Sequence, residues 1–387
     1  MKFVLHNRKE PKLTSSEMYS KLGSKSTNSI KNEDKQKQLQ NSIKSWLSFS
    51  FTFKKLGILT LFILFIYALI SALIERQYSN DRNIQHVLRK TRHILRIALI
   101  APMVKTIPPG NYGGTERAVY YLVEALVKRG HKVTLFASNN SNTTSATHVP
   151  SGNRIYELGF AYNSIPLISI SNDQRVHVEG NPNWIATVHH GLPKDLYKFI
   201  EKPQVETGEG PYLAFLGRFH KDKRPDLAIE IAVRASIRLK LAASKFGAGD
   251  EYVENIMKMI DKHNDMVEFV GELNDKQKND FLGNAIASIF PIEWTEPFGL
   301  VLIESMACGT PVIARRRGSV PEVVKEGVSG TLFDTIEEAV EQVKKANQFN
   351  RAAVRNEFEK RFTSDIMAEN YEKVYNKMIL KLKNEGT

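Results

Sequence analysis

The sequence predicts an α/β protein: two doubly wound domains facing a cleft, plus an N-terminal transmembrane helix. Three observations predict it. From residue 96 onward, apolar runs of strand length alternate with stretches of helical spacing. Glycine-rich loops stand where strands hand over to helices. Ahead of them, residues 56–74 are 19 uncharged, almost wholly apolar positions.

Residues 1–55 are rich in Lys, Ser, Asn and Gln and read as a disordered basic tail. The apolar run 56–74 is about 28 Å long as a helix, close to the ~30 Å hydrocarbon core of a bilayer. It starts too far along the chain for a cleaved signal peptide. Lys54 and Lys55 fence it on one side, Glu75 and Arg76 on the other, and both flanks are basic, so charge does not set its orientation. Residues 75–95 form a linker. The formal net charge of +12 invites a nucleic-acid reading, but its distribution argues against one. Residues 1–96 carry 18 Lys and Arg against 6 Asp and Glu, leaving 36 of each sign in the rest of the chain. An electroneutral body without basic-aromatic interleaving does not fit a nucleic-acid partner.

In the body, "RIALIAP" from Arg96 is a strand, and "PPGNYGG" is a Gly/Pro loop. "TERAVYYLVEALVKRG" is a helix with Ala118, Tyr121, Leu122, Ala125 and Leu126 on one face, and "KVTLFAS" is the next strand. Strand, loop, helix, strand makes a βαβ unit and hence a parallel sheet. After a linker near residues 202–210 the rhythm resumes with strands over 212–217, 237–243, 267–271, 285–291 and 310–314. The domains are thus 96–200, an amino-terminal domain, and 205–362, a carboxyl-terminal one, closed by a helix over 363–387. Cys308 is the single cysteine and reads as a packing residue.

Ligands of such sheets bind at the carboxyl ends of the strands. There "EPFGLVLIE" brackets an apolar run with Glu296 and Glu304. Pro297 suits the first turn of a helix, and Gly299 permits close approach of another molecule. A helix N-terminus after the 285–291 strand is a seat for phosphate. Glu304, among Leu300, Val301, Leu302, Ile303 and Met306, needs donors: either sugar hydroxyls or an ion pair with a neighbouring Arg. Glu296 alone is equally an ordinary acid near a helix start. Arg218 and Lys223, in "GRFHKDKRPD", can neutralise a diphosphate or be solvated loop charges. Gly113 and Gly114 open a helix from the other domain. Together they point to a phosphate-bearing ligand, a nucleotide.

"EPFGLVLIESMACGTPVIARRRGSVPEVV" closely resembles the donor-site signature of the retaining GT-B glycosyltransferases of family 4, the glycosyl transferases group 1 family. "NYGGTERAVYYLVEALVKRGHKVTLFAS" and "LGRFHKDKRPDLAIEIA" are similar to that family's first βαβ unit and diphosphate-binding loop. The resemblance implies a GT-B-like fold of two Rossmann-like domains and transfer of a hexose-type sugar from a nucleoside diphosphate sugar. It implies that Glu304 bonds the ribose and that Glu296 sits by the donor sugar. The turn Pro297, Phe298, Gly299, Leu300 would lie along the sugar and phosphates. Arg218 and Lys223 would hold the diphosphate, met by Gly113 and Gly114 across the cleft, and Gly318 would line the same pocket. Glu296, Arg218 and Lys223 are then the catalytic candidates. No Asp-x-Asp pair occurs, so basic residues rather than a metal are expected to meet the diphosphate; no metal or further cofactor is implied.

The amino-terminal domain departs from the pattern. About 95 residues separate Arg96 from His190, fewer than the family uses, and the family's His near the acceptor has no counterpart. His189 and His190 match a turn at the domain junction. Two functions follow: a membrane-anchored, single-pass glycosyltransferase with an unknown acceptor, or a non-catalytic nucleotide-sugar-binding relic.

Overall fold

A computed structural model of the chain describes residues 3–5, 94–101, 105–110, 113–138, 140–143, 146–150, 166–177, 182–204, 210–245 and 249–385. The expected transmembrane helix, 56–74, lies outside these residues. Among the described residues no helix is long and apolar enough to cross a membrane.

One correction falls at the amino terminus. Phe3–Leu5, within the stretch expected to be disordered, forms β1 and pairs antiparallel with β2 (Arg96–Ile100), Val4 opposite Ala98. The edge of a sheet offers unpaired N–H and C=O groups to an extended segment, and composition averaged over a long tail hides three consecutive apolar residues. The chain then runs through α1 (Gly114–Lys128) to β3 (Lys132–Ala137), parallel to β2 with Leu99 opposite Leu135. β4 (Thr147–Pro150) extends the same sheet. Alternation along the strands buries Ile97, Leu99, Val133 and Leu135, and the helical period of α1 lays Leu122, Ala125 and Leu126 in the same core. β5 (Leu167–Ser169), α2 (Asp173–Val176) and β6 (Trp184–Thr187) follow, with the two strands paired to each other. Among the described residues the amino-terminal half therefore holds a four-stranded and a two-stranded sheet, not one doubly wound sheet. Strands this short pair by tertiary proximity, which local patterning does not encode.

The carboxyl-terminal half follows the expected rhythm. Its elements are β7 (Tyr212–Arg218), α3 (Pro225–Ala235), β8 (Arg238–Ser244), α4 (Asp250–Lys262), β9 (Val267–Gly271) and α5 (Asp275–Gly283), then β10 (Ala287–Phe290), α6 (Leu300–Ala307), β11 (Val312–Arg315), α7 (Val320–Val323), β12 (Gly330–Phe333) and α8 (Ile336–Lys344). All six strands are parallel, in the order β12-β11-β10-β7-β8-β9. Successive side chains of β7 enter opposite layers. Leu213 and Phe215 pack with α3 and α8 residues such as Ile229 and Val340, whereas Ala214 and Leu216 share a core with Leu302 and Met306 of α6. Burial on both faces explains why these strands read as continuous apolar runs. The strand β12, four residues that follow directly on the turn 327–329, is too short to read from the sequence.

α9 (Arg351–Arg361) and α10 (Ser364–Glu385) end the chain, and α10 returns to the amino-terminal half. There Glu372 accepts from Arg129 Nε at 2.9 Å, just past the end of α1. Cys308, at the end of α6, is fully buried, and burial with the nearby Glu304 charge pushes its thiol up to about 12. A thiolate is the reactive form. The folded protein is therefore expected to resist an aromatic disulfide reagent at pH 8 and to release one thiol equivalent only in denaturant; stoichiometric labelling of the native chain would contradict this.

Candidate functional site

The strand order of the carboxyl-terminal half reverses beside β7, whose neighbours are β8 and β10. Chain leaving β7 and chain leaving β10 depart to opposite faces there and open a crevice at the carboxyl edge. It is lined by the ends of β7 and β8 (Gly217, Ser244), the start of α1 (Gly113, Gly114, Arg117), the turn after β9 (Glu272, Leu273), α5 (Lys278) and α6 (Glu304). The enclosed space is about 100 Å³.

Helix α6 begins later than expected. Gly299 stands at φ 79° as its cap and Leu300 is its first residue. Pro297 thus precedes the helix rather than occupying its first turn, because a left-handed residue cannot continue a right-handed helix. Leu300 and Glu304, four apart, share the face of α6 that meets the crevice. A Cβ built on Gly114 would lie 3.5 Å from Leu300 Cδ1, so the glycine loop of one half sits directly on the helix start of the other. At Gly113 a Cβ would meet Pro109 at 2.8 Å and Glu116 Oε2 at 2.9 Å.

Glu304 is 3% exposed, and its donors are protein groups. Arg117 Nη1, Lys278 Nζ and the Tyr197 hydroxyl each lie 3.2 Å from its Oε1. The Arg weighed from the sequence as one of its donors is Arg117. Arg117 also reaches Asp275 Oδ1 at 2.7 Å. Burial works against the Arg117 charge, but Glu304 and Asp275 outweigh it and raise its pKa. Burial, then the Glu304 charge, hold the Tyr197 phenol protonated well above its ordinary range. Asp275 and Lys278 are set by the start of α5, where Asn274 and Gln277 form a reciprocal capping box.

Glu296 and Lys223 come together at a second point, as an ion pair. Trp294 Nε1 donates to the same Glu296 oxygen at 3.2 Å, and Lys223 Nζ stands 5.2 Å from the Trp294 ring centroid. Arg218 ends β7, opposite Ser244 of the crevice wall. Gly318, with φ 57°, presses on the Glu296 backbone: its Cβ would lie 2.4 Å from Glu296 N, and Ser319 N donates to Glu296 O at 2.9 Å. It shapes the turn bearing Glu296 and is not among the residues around the enclosed space. The Phe298 side chain is buried, edge-on to His190 with centroids 5.1 Å apart. Burial, then His189, lower the His190 pKa to about 4, so its ring is a neutral packing partner at pH 7. His189 Nε2 lies 3.4 Å from Glu322, whose carboxylate also accepts the backbone N–H groups of Asn172 and Asp173 at 2.8 and 2.7 Å.

Arg117, Tyr197, Asp275 and Lys278 are not among the candidates read from the sequence. One signal for Arg117 is legible: Gly114, Arg117 and Tyr121 fall at helical spacing on one face of α1. The others join the site only through folding.

The reversed order, 3-2-1-4-5-6 when counted within its half, and the charged crevice at the carboxyl edge define a doubly wound α/β protein whose ligand site lies at the switch point. Residues 197–361 match the family model described as Glycosyl transferases group 1. Over 160 residues the chain is 30% identical to the D-inositol 3-phosphate glycosyltransferase of Mycobacterium marinum, covering 39% of this chain and 34% of that protein. The enzyme of the same name from Mycolicibacterium smegmatis is 28% identical over 176 residues, 43% of this chain and 39% of the relative. The chain thus spans just over a third of the length of these curated relatives. Among solved structures, AviGT4, a glycosyltransferase involved in avilamycin A biosynthesis, superposes with a TM-score of 0.60 at 20% identity, over 73% of this chain and 97% of that one. Anabaena HepE, crystallised with UDP and glucose, gives 0.57 at 14% identity, over 74% and 100%. The likeness is one of fold: α/β, GT-B-like, with parallel sheets.

Proposed function

We propose that this chain is a membrane-anchored, single-pass glycosyltransferase that moves a sugar from a nucleoside diphosphate sugar to an acceptor with retention of anomeric configuration. One observation carries the reading. Glu304, buried where a carboxylate must have donors, lies in one crevice with Gly113, Gly114 and the end of β7, while Lys223 and Glu296 meet as a pair. The family match over residues 197–361 and the UDP and glucose bound by the HepE neighbour support the donor class. The apolar run 56–74 supports the anchor.

Departure of a nucleoside diphosphate builds negative charge on the leaving oxygen and positive charge at the anomeric carbon. Arg218 and Lys223 stabilise the first as it grows, and Glu296 tolerates the second. Lys223 and Glu296 meet as an ion pair, which holds both charges in place beside the proposed donor.

The test is donor hydrolysis by the purified full chain in detergent, after a thermal-shift screen of UDP-, GDP- and ADP-sugars. The donor giving a shift is expected to release free sugar. Lys223→Met is expected to slow that release by about a hundredfold, the scale of one lost transition-state donor. Binding with no release from any donor would favour the non-catalytic nucleotide-sugar-binding reading.

A further inference from the structure

Glu304 is held through one of its two oxygens. All three of its donors converge on Oε1, and two of them carry charge. No described residue donates to Oε2, although the carboxylate lines the crevice. Lys278 belongs to α5 and Tyr197 to the segment leading into the carboxyl-terminal half. Arg117 belongs to α1 of the other half, 187 residues away in sequence. Its guanidinium is itself fixed, since the same Nη1 reaches Asp275 at 2.7 Å.

We propose that Arg117 is a positioning residue for ribose recognition. Together with Lys278 and Tyr197 it clamps Glu304 Oε1, which leaves Oε2 as the acceptor presented to the sugar hydroxyls of the nucleotide. The inference rests on the donor-site reading above. Its consequence is that the nucleotide site is assembled by both halves: the acceptor-side helix α1 orients the carboxylate that reads the donor.

The experiment compares dissociation constants of UDP, GDP and ADP for the full chain by calorimetry. It then compares the tightest binder with its 2′,3′-dideoxy counterpart. The wild type is expected to prefer the ribonucleotide by at least about tenfold, as loss of a hydrogen bond to a charged group implies. In Arg117→Met the preference is expected to fall to within about threefold, with inhibition of binding by inorganic pyrophosphate unchanged. Arg117→Lys, which restores one charged donor, is expected to recover part of the preference. Tyr197→Phe removes a single hydroxyl and no charge. It is expected to narrow the ratio as well and serves if Arg117→Met does not fold. A purely structural Arg117 would weaken ribo and dideoxy forms equally, so an unchanged ratio in both variants would overturn the proposal. So would tighter binding of both forms by Arg117→Met, the mark of a latch that excludes ligand. A wild type that binds no nucleotide, or that shows no ribose preference, would overturn the donor-site reading itself and the inference with it.

Discussion

Glu304→Ala is expected to weaken nucleotide binding by at least about tenfold and to cost the protein several kcal/mol of stability. The two losses have separate origins. Binding weakens because the proposed ribose acceptor is gone. Stability falls because Arg117 and Lys278, both buried, lose the carboxylate on which they converge, although Asp275 still lies within ion-pair range of each. Breaking a buried ion pair from one side typically costs about 3–5 kcal/mol, since the remaining charge stays desolvated. Urea unfolding would show the midpoint fall without a change in slope, and calorimetry with the nucleotide identified by the thermal-shift screen would read the binding. Glu304→Gln separates the two effects. It keeps the shape and one acceptor oxygen for Oε1 partners, so it is expected to fold better than the Ala variant while still binding nucleotide poorly. Full nucleotide affinity in Glu304→Gln would remove the carboxylate from ribose recognition.

Gly318→Ala is the second large effect, and it acts on the backbone. An added Cβ would stand 2.4 Å from Glu296 N, 2.6 Å from Glu296 O and 2.9 Å from Thr295 C, contacts that only movement of the 295–296 segment can relieve. The residue also has φ 57°, where a side chain costs about 1–2 kcal/mol on its own. Together these are expected to destabilise by about 3 kcal/mol or more, at the upper end for point changes. Glu296 shifts with its backbone, so sugar release is expected to fall further than nucleotide affinity does. Gly327 supplies the control. Its φ is 74°, but nothing lies within 4 Å of an added Cβ, so Gly327→Ala carries the backbone strain without the collision. Denaturant midpoints for the pair would read the difference. Equal losses would mean that strain, not the approach of Glu296, explains the glycine at 318.

Much of the carboxyl-terminal half was legible because its signals are local. The strand of β7 and the loop bearing Arg218 and Lys223 lie within a dozen residues, as do Glu296, Gly299 and Glu304. Period and turn chemistry act over that range. Pro297 was misplaced because the sequence does not show that Gly299 adopts a left-handed conformation and delays α6 by a turn. β1 and the β5–β6 pair were not anticipated because strand pairing is chosen between distant segments.

By itself the sequence determined five of the six strands of the carboxyl-terminal half, and which short stretches carry acids, bases and glycines suited to a diphosphate. Hydrophobic period and backbone chemistry are properties of neighbouring residues, and neighbours are what a sequence displays. Tertiary structure alone decided what those groups touch: that Lys223 meets Glu296, and that Arg117 crosses from the other half to hold one oxygen of Glu304. The physical reason is desolvation. A carboxylate carried into the core by an apolar helix must find donors, and only packing determines which distant cation is near enough to supply them.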